Sequence, residues 1–167
     1  DAAIERAEAA ESTADNVALP KEDAWAFDSR RNVIYIFLRP TDAVTAIECD
    51  YLVDNAALVW DDVGELYWDY VAVNEDAIVR NVSVQVQLPV PEGAIVVPGD
   101  NLVSWGHGPQ GSVSTNEDGT VDYEVSEVAP GQYAQAHIVF PRSWLTNLTI
   151  QAKLAKSGVH YDDALAD

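Results

Sequence analysis

Between Gly111 and Val125 apolar and polar residues alternate on both sides of one turn, Asn116-Glu117-Asp118-Gly119-Thr120, and nothing else in the chain constrains its folding as tightly. That turn suits a type I geometry followed by a left-handed glycine and a bulge. Asn116 then faces Thr120, Thr115 faces Val121, Val113 faces Tyr123 and Gly111 faces Val125. Ser112, Ser114, Asp122 and Glu124 share the other side. A tight two-residue Asp-Gly turn would set Val113 against Glu124. Side chains along a strand repeat every second residue, so that slip would send the apolar set to water, and the bulged register is preferred.

The same period recurs at Val82, Val84, Val86 and Leu88, which alternate with Ser83, Gln85 and Gln87 until Pro89. One face is dry and one wet. Val33 to Leu38 is apolar at every position, as a strand covered on both faces would be. Thr45 to Val53 alternates, with Ile47, Cys49, Tyr51 and Val53 on one side, which makes the single cysteine a small core hydrophobe. Leu66–Val71, Leu102–Trp105 and Tyr133–Phe140 complete the set, and Val90–Asn101 is a long loop punctuated by Pro91, Gly93 and Pro98. Short strands separated by turn signals imply an all-β fold, an antiparallel β-sandwich of immunoglobulin-like or jelly-roll-like kind, over residues 25–150. Residues 1–24 hold helix formers without an apolar stripe and read as a short helix or flexible segment. Residues 151–167 form a tail, with Tyr161–Asp167 as the first turns of a helix.

Twenty-eight acids against nine bases give a formal charge of −19, a field that repels nucleic acid and anionic lipid surfaces. No glycine-rich phosphate loop, Ser-His-Asp order or zinc spacing is present, so neither catalysis nor a cofactor is expected. The pairs Asp61-Asp62 and Asp162-Asp163 lack the alternating oxygen ligands of a calcium loop, leaving a calcium-stabilised scaffold as a third reading. Methionine is absent even at position 1, so the sequence reads as a piece of something longer, and a missing leader or span says nothing about the parent.

The densest cluster of unusual residues is Trp105-Gly106-His107-Gly108-Pro109-Gln110-Gly111, which joins two expected strands. Glycines let backbone approach a partner closely, which makes His107 a candidate ligand-contacting imidazole; the plainer reading is a turn whose histidine bonds local backbone. Glu65 with Asp61-Asp62 offers the two carboxylates of a glycosidase, and Trp68 or Trp105 a platform for a sugar ring. Tyr67 and Trp68 point to opposite faces of their strand, so at most one is free for a ligand. His137 shares the less apolar side of its strand with Gln135 and is expected at the surface, while His160 lies in the tail.

Taken in order, Asp62-Val63-Gly64-Glu65-Leu66-Tyr67-Trp68, Asn81-Val82 through Leu88-Pro89, Trp105-Gly106-His107-Gly108-Pro109 with Gly111, Pro130-Gly131 and Phe140-Pro141 form a pattern. It resembles the YciQ-like predicted membrane proteins of bacteria, a family defined as a domain of unknown function, over Val33 to Pro141. The resemblance implies a secreted β-rich region between a signal peptide and a transmembrane helix, with no activity to carry over. Gln135 and His137 stand where relatives often show a glutamate and an arginine. The β-rich segment that precedes this part in the family is not recognisable in residues 1–32, so the chain is expected to hold the second half of the ectodomain. The expectation is a non-catalytic, extracytoplasmic module of a membrane-anchored parent. It would meet a protein or cell-surface partner around Trp105–Gly111 and the membrane only through a helix outside this sequence. The alternative is a carbohydrate-binding or glycan-hydrolysing module.

Overall fold

The computed structural model describes residues 24–28, 30, 33–37, 44–73, 77–145 and 156–166, so the helix or linker expected before residue 24 lies outside them. Residue contacts divide the chain into two compact units, Asp1–Asp50 and Tyr51–Asp167, a boundary inside the 25–150 stretch assigned above to one sandwich. In the first unit β1 (Ala24–Asp28) pairs antiparallel with β2 (Val33–Phe37), Ala24 opposite Phe37 and Asp28 opposite Val33. The alternation in Ala24–Asp28 was too short to announce a strand. β2 is the expected Val33–Leu38 strand, but Ile36 is exposed, so it is not covered on both faces.

Thr45 to Val53 forms no strand, and Cys49 is exposed rather than in a core. Alternation states which face a strand would bury once it finds an edge to pair with. Among the described residues no edge pairs with this segment.

The second unit is the sandwich. Its four-stranded sheet runs in the order β3 (Ala57–Val59), β4 (Val63–Val71), β9 (Ala134–Pro141), β6 (Val103–His107). The three-stranded sheet runs β5 (Val79–Gln87), β8 (Thr120–Val128), β7 (Gly111–Thr115), and all strand pairs are antiparallel. The hairpin has the bulged register: Thr115 faces Val121, Val113 faces Tyr123 and Gly111 faces Val125, with Gly119 at φ +82°. Asn116 and Thr120 close the turn through N–H to C=O at 2.9 Å.

The inner faces meet in a core of Leu102, Ala136, Ile138 and Phe140 from one side and Leu88, Val121 and Tyr123 from the other. Each large side chain fully removed from water there contributes about 1.5–3 kcal/mol. Tyr123 also crosses the core, its hydroxyl donating to the His137 carbonyl at 3.4 Å, and burial pushes that phenol well above its ordinary pKa.

Trp105 to Gly111 is where the chain passes from one sheet to the other, and this explains its glycines. Gly108 sits at φ +119° with the Tyr133 carbonyl oxygen 2.2 Å from where a Cβ would lie. At Gly111 the Glu124 carbonyl oxygen would lie 2.3 Å away. Backbone here packs on backbone, leaving no volume for a side chain. The described part of the tail contains one helical turn, α1 (Tyr161–Ala164), and Arg142–Trp144 is a single 3-10 turn. A helical C-terminal tail is therefore not what the described residues form.

Candidate functional site

Because β4 alternates, Glu65, Tyr67 and Asp69 leave the sheet on the face away from the core. Register then builds rows across the sheet: Glu65, Val139 and Val103; Tyr67, His137 and Trp105; Asp69, Gln135 and His107. The middle row is a stack of rings. Tyr67 lies parallel to His137 at 3.9 Å between centroids, Trp105 tilts against His137 at 4.7 Å, and His107 lies 5.7 Å from it. Beside them Gln135 donates to Asp69 at 2.6 Å.

Glu65, only 3% exposed, is the centre of this face. Its Oε1 meets His137 Nε2 at 3.0 Å and His160 Nε2 at 3.3 Å, and its Oε2 accepts from Trp60 Nε1 at 2.9 Å. A carboxylate oxygen accepts from an imidazole nitrogen only where that nitrogen carries the hydrogen. A carboxylate taken from water must be satisfied this fully, because each donor lost leaves charge unpaired in a poor solvent for it. All three histidines of the chain thus lie on one face, with His137 only 1% exposed. The expectation that His137 is a surface residue was wrong: the rings of Tyr67, Trp105 and His107 pack against it from the two flanking strands and Glu65 meets its edge.

Residues 156–166 close over the Glu65 end of this face. Lys156 N–H donates to the Val59 carbonyl at 2.8 Å, and Gly158 exchanges two bonds with Asp61. The Asp62 carboxylate accepts the N–H groups of His160 at 2.9 Å and Tyr161 at 3.0 Å, taking up the free donors at the start of α1. Desolvation works to raise the Asp62 pKa. Backbone N–H groups of His160 and Tyr161, then those of Asp62 and Val63, outweigh it and hold the carboxyl below its usual value. His160 stacks on Trp60 at 3.8 Å, and Ala164 closes a small cluster with Val63 and Val139.

Of the residues singled out from sequence, Glu65, Trp105 and His107 share this outer face. Trp68 points the other way, in a row with Ala136 and Gly106. His107 ends β6 rather than crowning a loop. It is half-buried, and its Nε2 has no hydrogen-bond partner among the described residues, so it is neither an exposed imidazole nor one that bonds local backbone through Nε2. Trp60, Tyr67, His137 and His160 were missed. The one signal that pointed to them was the count: three histidines in so acidic a chain, one of them opposite Tyr67 once β4 and β9 are paired. An open groove of about 420 Å³ runs along the site, lined by Trp60, Glu65, Tyr67, His160 and Asp163. A wider one of about 590 Å³ lies over the other sheet, lined mainly by Ser83, Gln110, Ser112, Glu124 and Ser126. Among the described residues no three His, Cys, Asp or Glu side chains are placed to hold a metal ion, and no helix is long and apolar enough to cross a membrane.

The family described as "Predicted membrane protein (DUF2207) N-terminal domain" matches residues 5–140, and the chain belongs to it. That span includes most of residues 1–32, where the family's preceding β-rich segment is not recognisable from the residues themselves. No curated protein and no solved structure matches the chain.

Proposed function

We propose, with membership of that family as the premise, that this chain is a non-catalytic recognition module held outside the cytoplasm by a membrane-anchored parent. Its binding face is the outer side of β4, β9 and β6, next to the corner at Trp105–Gly111. The observation that carries this reading is the state of Glu65. A general acid or a nucleophile needs a free oxygen facing its substrate, whereas both oxygens of Glu65 already hold donors from Trp60, His137 and His160. Asp61 and Asp62, the partners a glycosidase would need, are engaged in holding backbone N–H groups. The surface offered to a partner includes the ring of Tyr67, 38% exposed over His137, beside a groove lined by Trp60, His160 and Asp163. A large rigid ring that orders at little entropic cost is the kind of anchor interfaces use.

A photo-crosslinking residue at position 67 of the full-length parent in its own membrane tests this, with one at position 83 on the opposite sheet as control. Adducts at 67 and not at 83 are expected. Equal yields at the two positions, or hydrolysis of cell-wall glycan that is lost in Glu65→Gln, would overturn the reading.

A further inference from the structure

The closed site already contains an occupant. His160 lies with its ring stacked on Trp60, centroids 3.8 Å apart and planes 14° from parallel, and its Nε2 meets Glu65 Oε1 at 3.3 Å. An aromatic face above and a carboxylate at the edge define a slot for one chemical type, a flat group that carries N–H donors and positive charge. The walls agree: among the described residues Glu65 and Asp163 line the groove and no lysine or arginine does.

The occupant is held mainly by polar contacts. Residues 156–166 attach through hydrogen bonds to Val59, Asp61, Asp62 and, from the Tyr161 hydroxyl, the Asp100 carbonyl, and their only fully buried side chain among those described is Ala164, while Val159 and Leu165 are exposed. A segment with few buried apolar contacts opens at a small fraction of the cost of global unfolding.

We infer that the Trp60–Glu65 slot is a binding site for an arginine side chain of a partner polypeptide, and that His160 fills it intramolecularly until the partner displaces it. This rests on the reading that the face binds a partner. Guanidinium is planar, stacks on an indole and presents N–H groups in its plane, so it satisfies Trp60 and Glu65 at once; a lysine ammonium satisfies only the charge. Partner binding and release of residues 156–166 are then a single event.

The test uses N-acetyl-arginine amide and N-acetyl-lysine amide, titrated against the wild type, His160→Ala, Asp62→Asn and the double variant His160→Ala, Glu65→Gln. Tryptophan emission reports the slot, and amide NMR shifts of Gly158–Ala164 report release. If the segment is closed in about nine of ten molecules, removing the internal competitor tightens arginine binding about tenfold. His160→Ala should show that gain. Asp62→Asn, which loosens the segment without touching the slot, should show part of it, and so keeps the test open if His160→Ala fails to fold. The double variant should lose it. The same affinity for wild type and both single variants would overturn the inference, as would arginine and lysine binding alike, which is the signature of the protein's overall charge. Crosslinking at Tyr67 combined with either result would leave the recognition face standing and remove the slot alone.

Discussion

The two outer faces of the sandwich come from strands of the same period in the same acidic chain, and they solve opposite problems. Over β5, β8 and β7 the polar residues stay in water: Gln85 donates to Asp122 at 2.7 Å and Arg80 pairs with Glu127 at 3.0 Å, both exposed. Such pairs replace water with an equivalent partner and contribute little. Over β4, β9 and β6, Glu65 and His137 are under cover, where an unmet donor or acceptor keeps the full cost of its desolvation. The residue types are alike, and burial alone turns one set into a network gathered on a single carboxylate.

The largest expected effect breaks that contrast directly. Glu65→Ala strands three donors and should cost about 3 kcal/mol in urea unfolding, whereas Glu124→Ala on the other face should stay within about 0.5 kcal/mol. Equal shifts in the midpoint at unchanged slope would show that cover makes no difference. His137→Phe sharpens it, because the ring still packs between Tyr67 and Trp105 while its bond to Glu65 is lost; about 1–2 kcal/mol is expected from the same measurement. The smallest effect is local. Asp62 has its pKa lowered in the folded state, so the attachment it gives is complete above the ordinary carboxyl value of 3.8 and is lost as pH falls through the lower folded value. Amide exchange at His160 and Tyr161 should rise over that acid range before the strands open, and in Asp62→Asn it should already be high at neutral pH.

Much of the first of these faces was legible in the sequence. Val82, Val84 and Val86 alternate with residues that water can keep, and a glycine at the fourth place of the Asn116–Thr120 turn settles the register of β7 on β8, because one alternative alone keeps Tyr123 and Val121 dry. The same logic misled at Cys49, where the alternation is equally clean but no edge among the described residues receives it. It failed at His137 for a different reason. The neighbours of His137 along its strand describe a half-polar face, and what covers His137 is the rings of Tyr67 and Trp105 on the two paired strands, far away in sequence. Periodicity carries information about a residue's own strand and none about the side chains that neighbouring strands bring against it. Trp105 and His107 drew notice for their glycines, which exist because the backbone turns between sheets. Their place on the same outer face as Glu65 follows from strand order, which the residues themselves do not state.

The central pairing of the four-stranded sheet joins Val63 to Pro141 and Val71 to Ala134, so the interior of that layer is assembled from opposite ends of the folded unit. A ribosome delivering this polypeptide completes β4 long before its neighbour exists, and the nascent sheet waits with one edge unclosed while β5, β7 and β8, contiguous apart from β6, can already zip together. Vectorial synthesis therefore favours the three-stranded layer as the early template, with the buried carboxylate among the last groups to acquire its full set of donors.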